Sequence, residues 1–187
     1  MPRKNLILCD RYHGSSPNDH RMNIFFLSMV PRRAAQWHCD KQVVKMILES
    51  VQMLWTAHHV TGLDPSAAAT GPKPYKPVHR NHPCTIWVRA SIANYRWLCC
   101  LAAELVMEYH LRFPKGRPVH ACEPHLRWLT AHEPRIPEGP LTWPALAMPD
   151  EYKRSPNPTA CYRAYYLGAK QHILQWTGRD VPSWISC

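Results

Sequence analysis

The sequence predicts a mostly α, compact single-domain fold whose helices are joined by long proline-rich loops. Three observations point there. Apolar residues recur at three- and four-residue steps along two long stretches. The 19 prolines gather largely outside those stretches. A chain of 187 residues with 45% hydrophobic residues and no internal repeat suits one domain with its own core.

The elements follow in order. Residues 1–21 are polar and turn-rich, without periodicity, and read as a flexible N-terminal extension to a domain over 22–187. The run Asn23-Ile-Phe-Phe-Leu-Ser-Met-Val30 is short, apolar and aromatic, and suits a strand or a buried extended segment. Pro31 opens a helical pattern that continues to about His59, with Val43, Ile47, Val51, Leu54 and His58 as its core stripe. Gly62 supplies a stop. Residues 63–80 read as a long surface loop rich in Pro, Ala and Gly.

A second helix starts near Asn81-His82-Pro83, since proline is well placed in a first helical turn. Its expected buried face is Ile86, Ala90, Ala93, Trp97, Leu101 and Leu105, and Glu108 and Arg112 form a stabilising i,i+4 pair near its end. Pro114-Lys115-Gly116 stop it. A short helix covers Glu123–Ala131, residues 133–158 are proline-rich and irregular, and a last helix runs from about Thr159 to Trp176.

Composition narrows the function. No apolar run approaches the length of a membrane span, so no membrane partner is expected. No signal-type leader is visible, and the eight cysteines show no framework spacing, with Cys39, Cys99 and Cys100 in helical stretches. A reduced, intracellular chain is the expectation. The 23 Lys and Arg against 13 Asp and Glu give +10, a balance that favours a polyanion such as DNA, because neutralised phosphates release condensed counterions.

Three clusters can carry chemistry. On the first helix, His38, Lys41, Lys45, Glu49 and Gln52 share one face by spacing. Cations there can bind phosphate and favour the ionised form of Glu49, a carboxylate suited to moving a proton or stabilising a developing sugar cation. The same spacing also suits a solvated face with i,i+4 salt bridges.

The second cluster gathers Tyr75, Lys76, His79, Arg80, His82, Cys84, Trp87 and Arg89 at a loop-to-helix junction. Its cations and helix N-terminus suit phosphate, and Trp87 or Tyr75 suits stacking on a base. Equally, His82 can cap the helix while Trp87 enters the core. The third is Asp150-Glu151-Tyr152 with Tyr162, Tyr165 and Tyr166, where the i,i+4 tyrosines can simply pack. His79, His82 and Cys84, or His120, Cys122 and His125, are the nearest approach to metal ligands. With no Cys-x-x-Cys, no His-Glu-x-x-His and no glycine-rich phosphate loop, neither a metal nor a cofactor is assigned.

One family shares this order of features: Met22-Asn-Ile-Phe-Phe-Leu27, then Ala34-Ala-Gln-Trp-His-Cys-Asp-Lys41, Val44-Lys45, Glu49 and Gln52-Met-Leu54. Asn81-His82-Pro83, Trp87, Tyr95, Glu108-Tyr109 and Arg112 follow. Over about half the chain this resembles the pyrimidine-dimer DNA glycosylases of endonuclease V type, in their broader bacterial and phage branch.

The resemblance implies a compact helical enzyme that flips a nucleotide and cleaves its glycosidic bond. The N-terminal amine would attack the sugar to form a Schiff base, assisted by a glutamate at the position of Glu49. Lys41, Lys45 and Arg89 would hold the kinked backbone. It also implies a cytoplasmic location in a bacterial cell or a phage-infected host. A family-like start falls at Met22, which places Asn23 at the nucleophile's position; Lys45 and Pro2 are the other candidate amines. Gln42 is uncharged where relatives tend to carry a basic or imidazole side chain, and the Met148-Pro-Asp-Glu-Tyr152 run lies outside the resemblance.

The expectation is therefore a DNA glycosylase, with AP-lyase activity as an added capacity, acting on damaged or modified pyrimidines. Its catalytic residues would be Glu49, Lys45 and Asn23. Nucleic acid would be met by His38, Lys41, Gln52, Lys76, His79, Arg80, His82, Trp87 and Arg89. Two other readings stay open: a non-catalytic nucleic-acid-binding protein, and a phage enzyme that modifies DNA bases or nucleotides.

Overall fold

In a computed structural model of the chain, residues 22–62, 69–116 and 118–185 are described. The expected extension over residues 1–21 lies outside them. Six α-helices lie wholly among the described residues: α1 Pro31–Trp37, α2 Asp40–Thr61, α3 Pro83–Val88, α4 Ile92–Arg112, α5 Glu123–Ala131 and α6 Pro158–Lys170. Short 3-10 turns occupy Asp150–Tyr152, Gln171–Ile173 and Ser183–Ile185. No strand occurs among the described residues. The mostly α fold with long irregular connections is as the sequence predicts. No helix of the described residues is long and apolar enough to cross a membrane.

The α2 helix is the spine. Its stripe Val43, Ile47, Val51, Leu54 and His58 is buried, and it packs against α3, α4 and α5. The apolar segment 22–28 is wholly buried and irregular, outside any helix or strand. Phe26 stacks on Trp97 with ring centroids 4.5 Å apart and meets the edge of Trp87 at 4.8 Å. Phe25 stacks on Tyr165 of α6 at 5.8 Å. The start of the described chain thus runs through the middle of the core.

Three helices differ from their expected bounds, each for a tertiary reason. The pattern from Pro31 to His59 is two helices, broken at His38 and Cys39. There the amide of Cys39 donates to the Tyr166 hydroxyl (2.7 Å) and that of Asp40 to the Gln175 carbonyl (2.8 Å), so distant residues take N–H groups a continuous helix would use. At the open end of α1, Arg112 donates to the carbonyls of His38 (2.7 Å) and Gln36 (2.9 Å), doing by guanidinium what a C-cap does by backbone.

The expected second helix also breaks, between Val88 and Ile92. Ser91 caps α4 by accepting from the Asn94 amide, and the Asn94 side chain takes the Trp87 carbonyl (2.8 Å). The break shifts the helical phase, so Ile86 is 46% exposed and Ala90 is exposed, while Trp97, Leu101 and Leu105 are buried as expected. The last helix ends at Lys170 rather than Trp176, because the following residues are drawn onto α2. The carboxylate of Asp40 accepts from the Thr177 amide and hydroxyl (3.0 and 2.7 Å). Trp176 donates to the Trp37 carbonyl, and the Arg163 guanidinium lies over the Trp37 and Trp184 rings at 4.8 and 5.7 Å.

Arg112 is the centre of a buried charge network. Its side chain is fully buried and binds Glu108 (2.8 Å) and Asp40 (3.2 Å), and Glu108 also binds Arg179 (2.7 Å). The i,i+4 pair expected on α4 is therefore not a surface pair. It fixes α1, α2, α4 and the C-terminal segment to one another.

Candidate active site

Glu49 on α2 is met by two chain segments far from it in sequence. The main-chain N–H of Asn23 donates to Glu49 Oε2 over 3.0 Å. One helical turn before, Lys45 Nζ lies 3.2 Å from Oε1. The Glu49 side chain is only 13% exposed. Burial raises its pKa above the ordinary carboxylate value, against the opposing pull of Lys45, the Asn23 N–H and His79. Charge spacing favours an ionised Glu49 and burial opposes it, so the carboxylate holds a proton more readily than an exposed one would.

The Asn23 side chain fixes this arrangement. Its Oδ1 accepts from the amides of Ile24 (2.8 Å) and Phe25 (3.1 Å), and its Nδ2 donates to the Ala147 carbonyl (2.7 Å). The tight path of the chain here puts Phe25 at φ 53°, in the left-handed region that a bulky residue rarely adopts. His79 is the other such residue among those described, at φ 45°, and its ring acts electrostatically on Glu49. Strained His79 thus acts on the carboxylate that Asn23, two residues before strained Phe25, binds. Such strain persists where surrounding structure over-determines it, and it clusters at functional sites.

His79 is delivered by the segment Tyr75–His79, which runs along α2. His59 Nε2 pairs with the Tyr75 carbonyl (2.8 Å), and Thr56 exchanges bonds with both main-chain groups of Val78. Behind Glu49 sit Cys84 and Tyr162. Burial pushes the Cys84 thiol up to about 12 and the Tyr162 hydroxyl well above its ordinary value, so neither is an acid or nucleophile near neutral pH. Tyr162 donates to the Ala145 carbonyl and accepts from the Ala147 amide, holding the loop that meets Asn23.

The predicted residues separate into groups. Asn23, Lys45, Glu49 and His79 come together. Gln52 is half-buried one turn beyond Glu49, and Lys41 and Lys76 are exposed. Arg80 is exposed and Arg89 half-buried, and the two adjoin through a bond from Arg89 Nη1 to the Arg80 carbonyl (2.7 Å). His82 caps α3, its Nδ1 accepting from the Cys84 amide (3.2 Å).

Two expected nucleic-acid contacts are core residues instead. Trp87 is buried against Phe26 and Trp97. His38 is fully buried, bonded through Nδ1 to the Ala34 carbonyl (2.7 Å), and burial lowers its pKa to about 4. Asp150 is almost fully solvated and pairs only with Lys153 on its own turn (2.8 Å). His120 accepts from the Cys122 amide just before α5, and His125 accepts from Trp55 Nε1. No group of three His, Cys, Asp or Glu among the described residues is placed to hold a metal ion.

Sequence reasoning missed the 145–147 loop, because its contribution is a main-chain carbonyl, which leaves no side-chain signature. Tyr162 was visible only as a packing candidate. Chemically, the arrangement offers a largely shielded carboxylate that accepts from the Asn23 amide and can exchange a proton with the Lys45 ammonium. No family model matches the sequence, and no curated protein or solved structure matches it either.

Proposed function

We propose that the protein is a DNA glycosylase with AP-lyase activity, in the manner of the pyrimidine-dimer glycosylases its sequence resembles. The observation that carries the reading is the 3.0 Å approach of the Asn23 main-chain nitrogen to Glu49. With the chain beginning at Asn23, that nitrogen is a primary amine already seated on a carboxylate of raised pKa. Glu49 takes a proton from the ammonium form, and the neutral amine attacks C1′ of a deoxyribose.

The C1′–N bond to the base breaks as the new C1′–N bond forms, and the departing base leaves with the electron pair and acquires a proton. Glu49 returns its proton to the ring oxygen O4′, the sugar opens, and an iminium remains. Loss of a C2′ proton then expels the 3′ phosphate, and water releases the amine. A +10 chain with Arg80, Arg89 and Lys76 beside the site supports a phosphate backbone as the partner.

In the full 187-residue chain the Asn23 nitrogen is an amide that donates to Glu49 and cannot attack. That observation favours, as a second reading, a DNA-binding protein without catalysis, unless Lys45 supplies the amine. Borohydride trapping decides between them. The full chain and a form beginning at Asn23 are each incubated with abasic and ultraviolet-irradiated duplexes. An adduct mapped to Asn23 in the shorter form alone is the expected result; one mapped to Lys45 in both moves the nucleophile. No adduct from either overturns the amine mechanism.

A further inference from the structure

We propose that Trp143 enters the DNA base stack at the position vacated when a nucleotide is turned out, an assignment that rests on the DNA reading above. Trp143 is 65% exposed, unlike the buried Trp55, Trp87, Trp97 and Trp128. Surface indole on a loose loop is unremarkable, but this loop is held on both sides of the ring. The Ser91 hydroxyl donates to the Pro140 carbonyl (2.9 Å). Asn94 brackets Thr142, accepting from its amide (2.9 Å) and donating to its hydroxyl (2.8 Å), and Trp87 Nε1 donates to its carbonyl (3.4 Å).

On the far side, Pro144 is buried, and Tyr162 and Asn23 hold Ala145 and Ala147. Proline after Trp143 further narrows its backbone. The indole is thus presented by a fixed backbone, which spares a binding partner the cost of ordering it.

Its position selects the partner. Trp143 is four positions before Ala147, whose carbonyl accepts from Asn23, so it stands no more than about 14 Å along the chain from the residue that meets Asn23. That span is about four base steps at the duplex repeat of about 3.4 Å. On the other side, Pro140 of the loop is bound by Ser91, two residues past Arg89, which is joined to Arg80. A planar apolar ring on a loop tied at one end near a pair of arginines and at the other to the Asn23 that meets Glu49 matches a nucleobase flanked by phosphates. Apolar wedges that fill an unstacked step are a general device of proteins that deform DNA, and a flat ring can stack on any base.

The test is binding, measured by anisotropy on two duplexes that differ only in one stable abasic-site analogue, with the full chain, Trp143→Ala and Trp143→Phe. The full chain is expected to prefer the abasic duplex. Trp143→Ala should lose about tenfold on that duplex and little on the intact one, and Trp143→Phe should recover most of the loss. If Trp143→Ala binds the abasic duplex as the full chain does, the wedge is wrong and the DNA reading stands. If the full chain binds neither duplex, the DNA reading fails and the wedge with it.

Discussion

Asn23 and Glu49, 26 positions apart, are joined by a 3.0 Å bond from a main-chain nitrogen to a carboxylate oxygen. The bond ties the buried N-terminal segment to the spine helix, two residues before the strained Phe25. The partners are unequal. The nitrogen belongs to the backbone and cannot be mutated, whereas the carboxylate can.

Glu49→Gln is therefore the decisive substitution. It keeps an acceptor for the Asn23 N–H but cannot carry a proton between amine and sugar. Base release should fall about 100-fold or more. Because burial raises the pKa of Glu49, its ionised form costs stability near neutral pH, and the neutral amide removes that cost. The thermal midpoint should hold or rise. A variant that loses activity by unfolding would show a clear drop in midpoint.

Stability should fall in mild acid. Burial holds both His38 and His58 at about 4 against an ordinary 6.5. Between those values the unfolded chain takes up protons that the folded chain refuses, so stability is full above pH 6.5 and is lost as pH drops toward 4. For His38 the effect amounts to about 3 kcal/mol at most. Glu49 acts in the opposite sense, since its raised pKa favours the folded state as it protonates. Urea midpoints taken from about pH 7.5 down to about pH 4.5 should decline, and decline more steeply in Glu49→Gln. A flat profile would contradict the assignment of both histidines.

Arg112→Met should be among the most damaging single changes. It leaves the Gln36 and His38 carbonyls without their guanidinium, and strands Asp40 and Glu108 in the interior. A loss of about 3–5 kcal/mol is expected from denaturant titration. Arg179→Met removes a partly exposed partner of the same Glu108 and should cost about 1 kcal/mol or less. Equal effects would mean that the network is not organised around Arg112.

The proposed phosphate contact at the α3 corner would have a salt signature. Arg80→Gln and Arg89→Gln should each weaken DNA binding regardless of sequence, and each should make the slope of log affinity against log salt shallower by about 1. Lys115→Gln, at the far end of α4, serves as the control. An unchanged slope in both arginine variants would move the DNA backbone to another face.

The helices were legible in sequence because their apolar spacing is local information. Their breaks were not, because the deciding partners are remote: Cys39 answers to Tyr166, 127 positions on, and Asp40 to Gln175. The Lys45–Glu49 pair could be read from i,i+4 spacing alone, and Asn23 entered through the family resemblance. The burial that sets the charge state of Glu49 could not be read, since spacing reveals a neighbouring lysine but not how much water is excluded. His38 and Trp87 were misjudged for a related reason. An imidazole or indole looks like a polar handle in a sequence, yet each here fills the core.

The burial of residues 22–28 also sets a timetable for synthesis. This segment leaves the ribosome early, but its neighbours leave last: Asn23 waits for Ala147, 124 residues later, and the Leu27 carbonyl for Arg163, 136 later. At about 5–20 residues per second, the stretch with two of the chain's three phenylalanines goes for seconds without its final cover. The nascent protein therefore exposes its stickiest strip for most of its translation, and a chaperone that binds short aromatic peptides would find its target there.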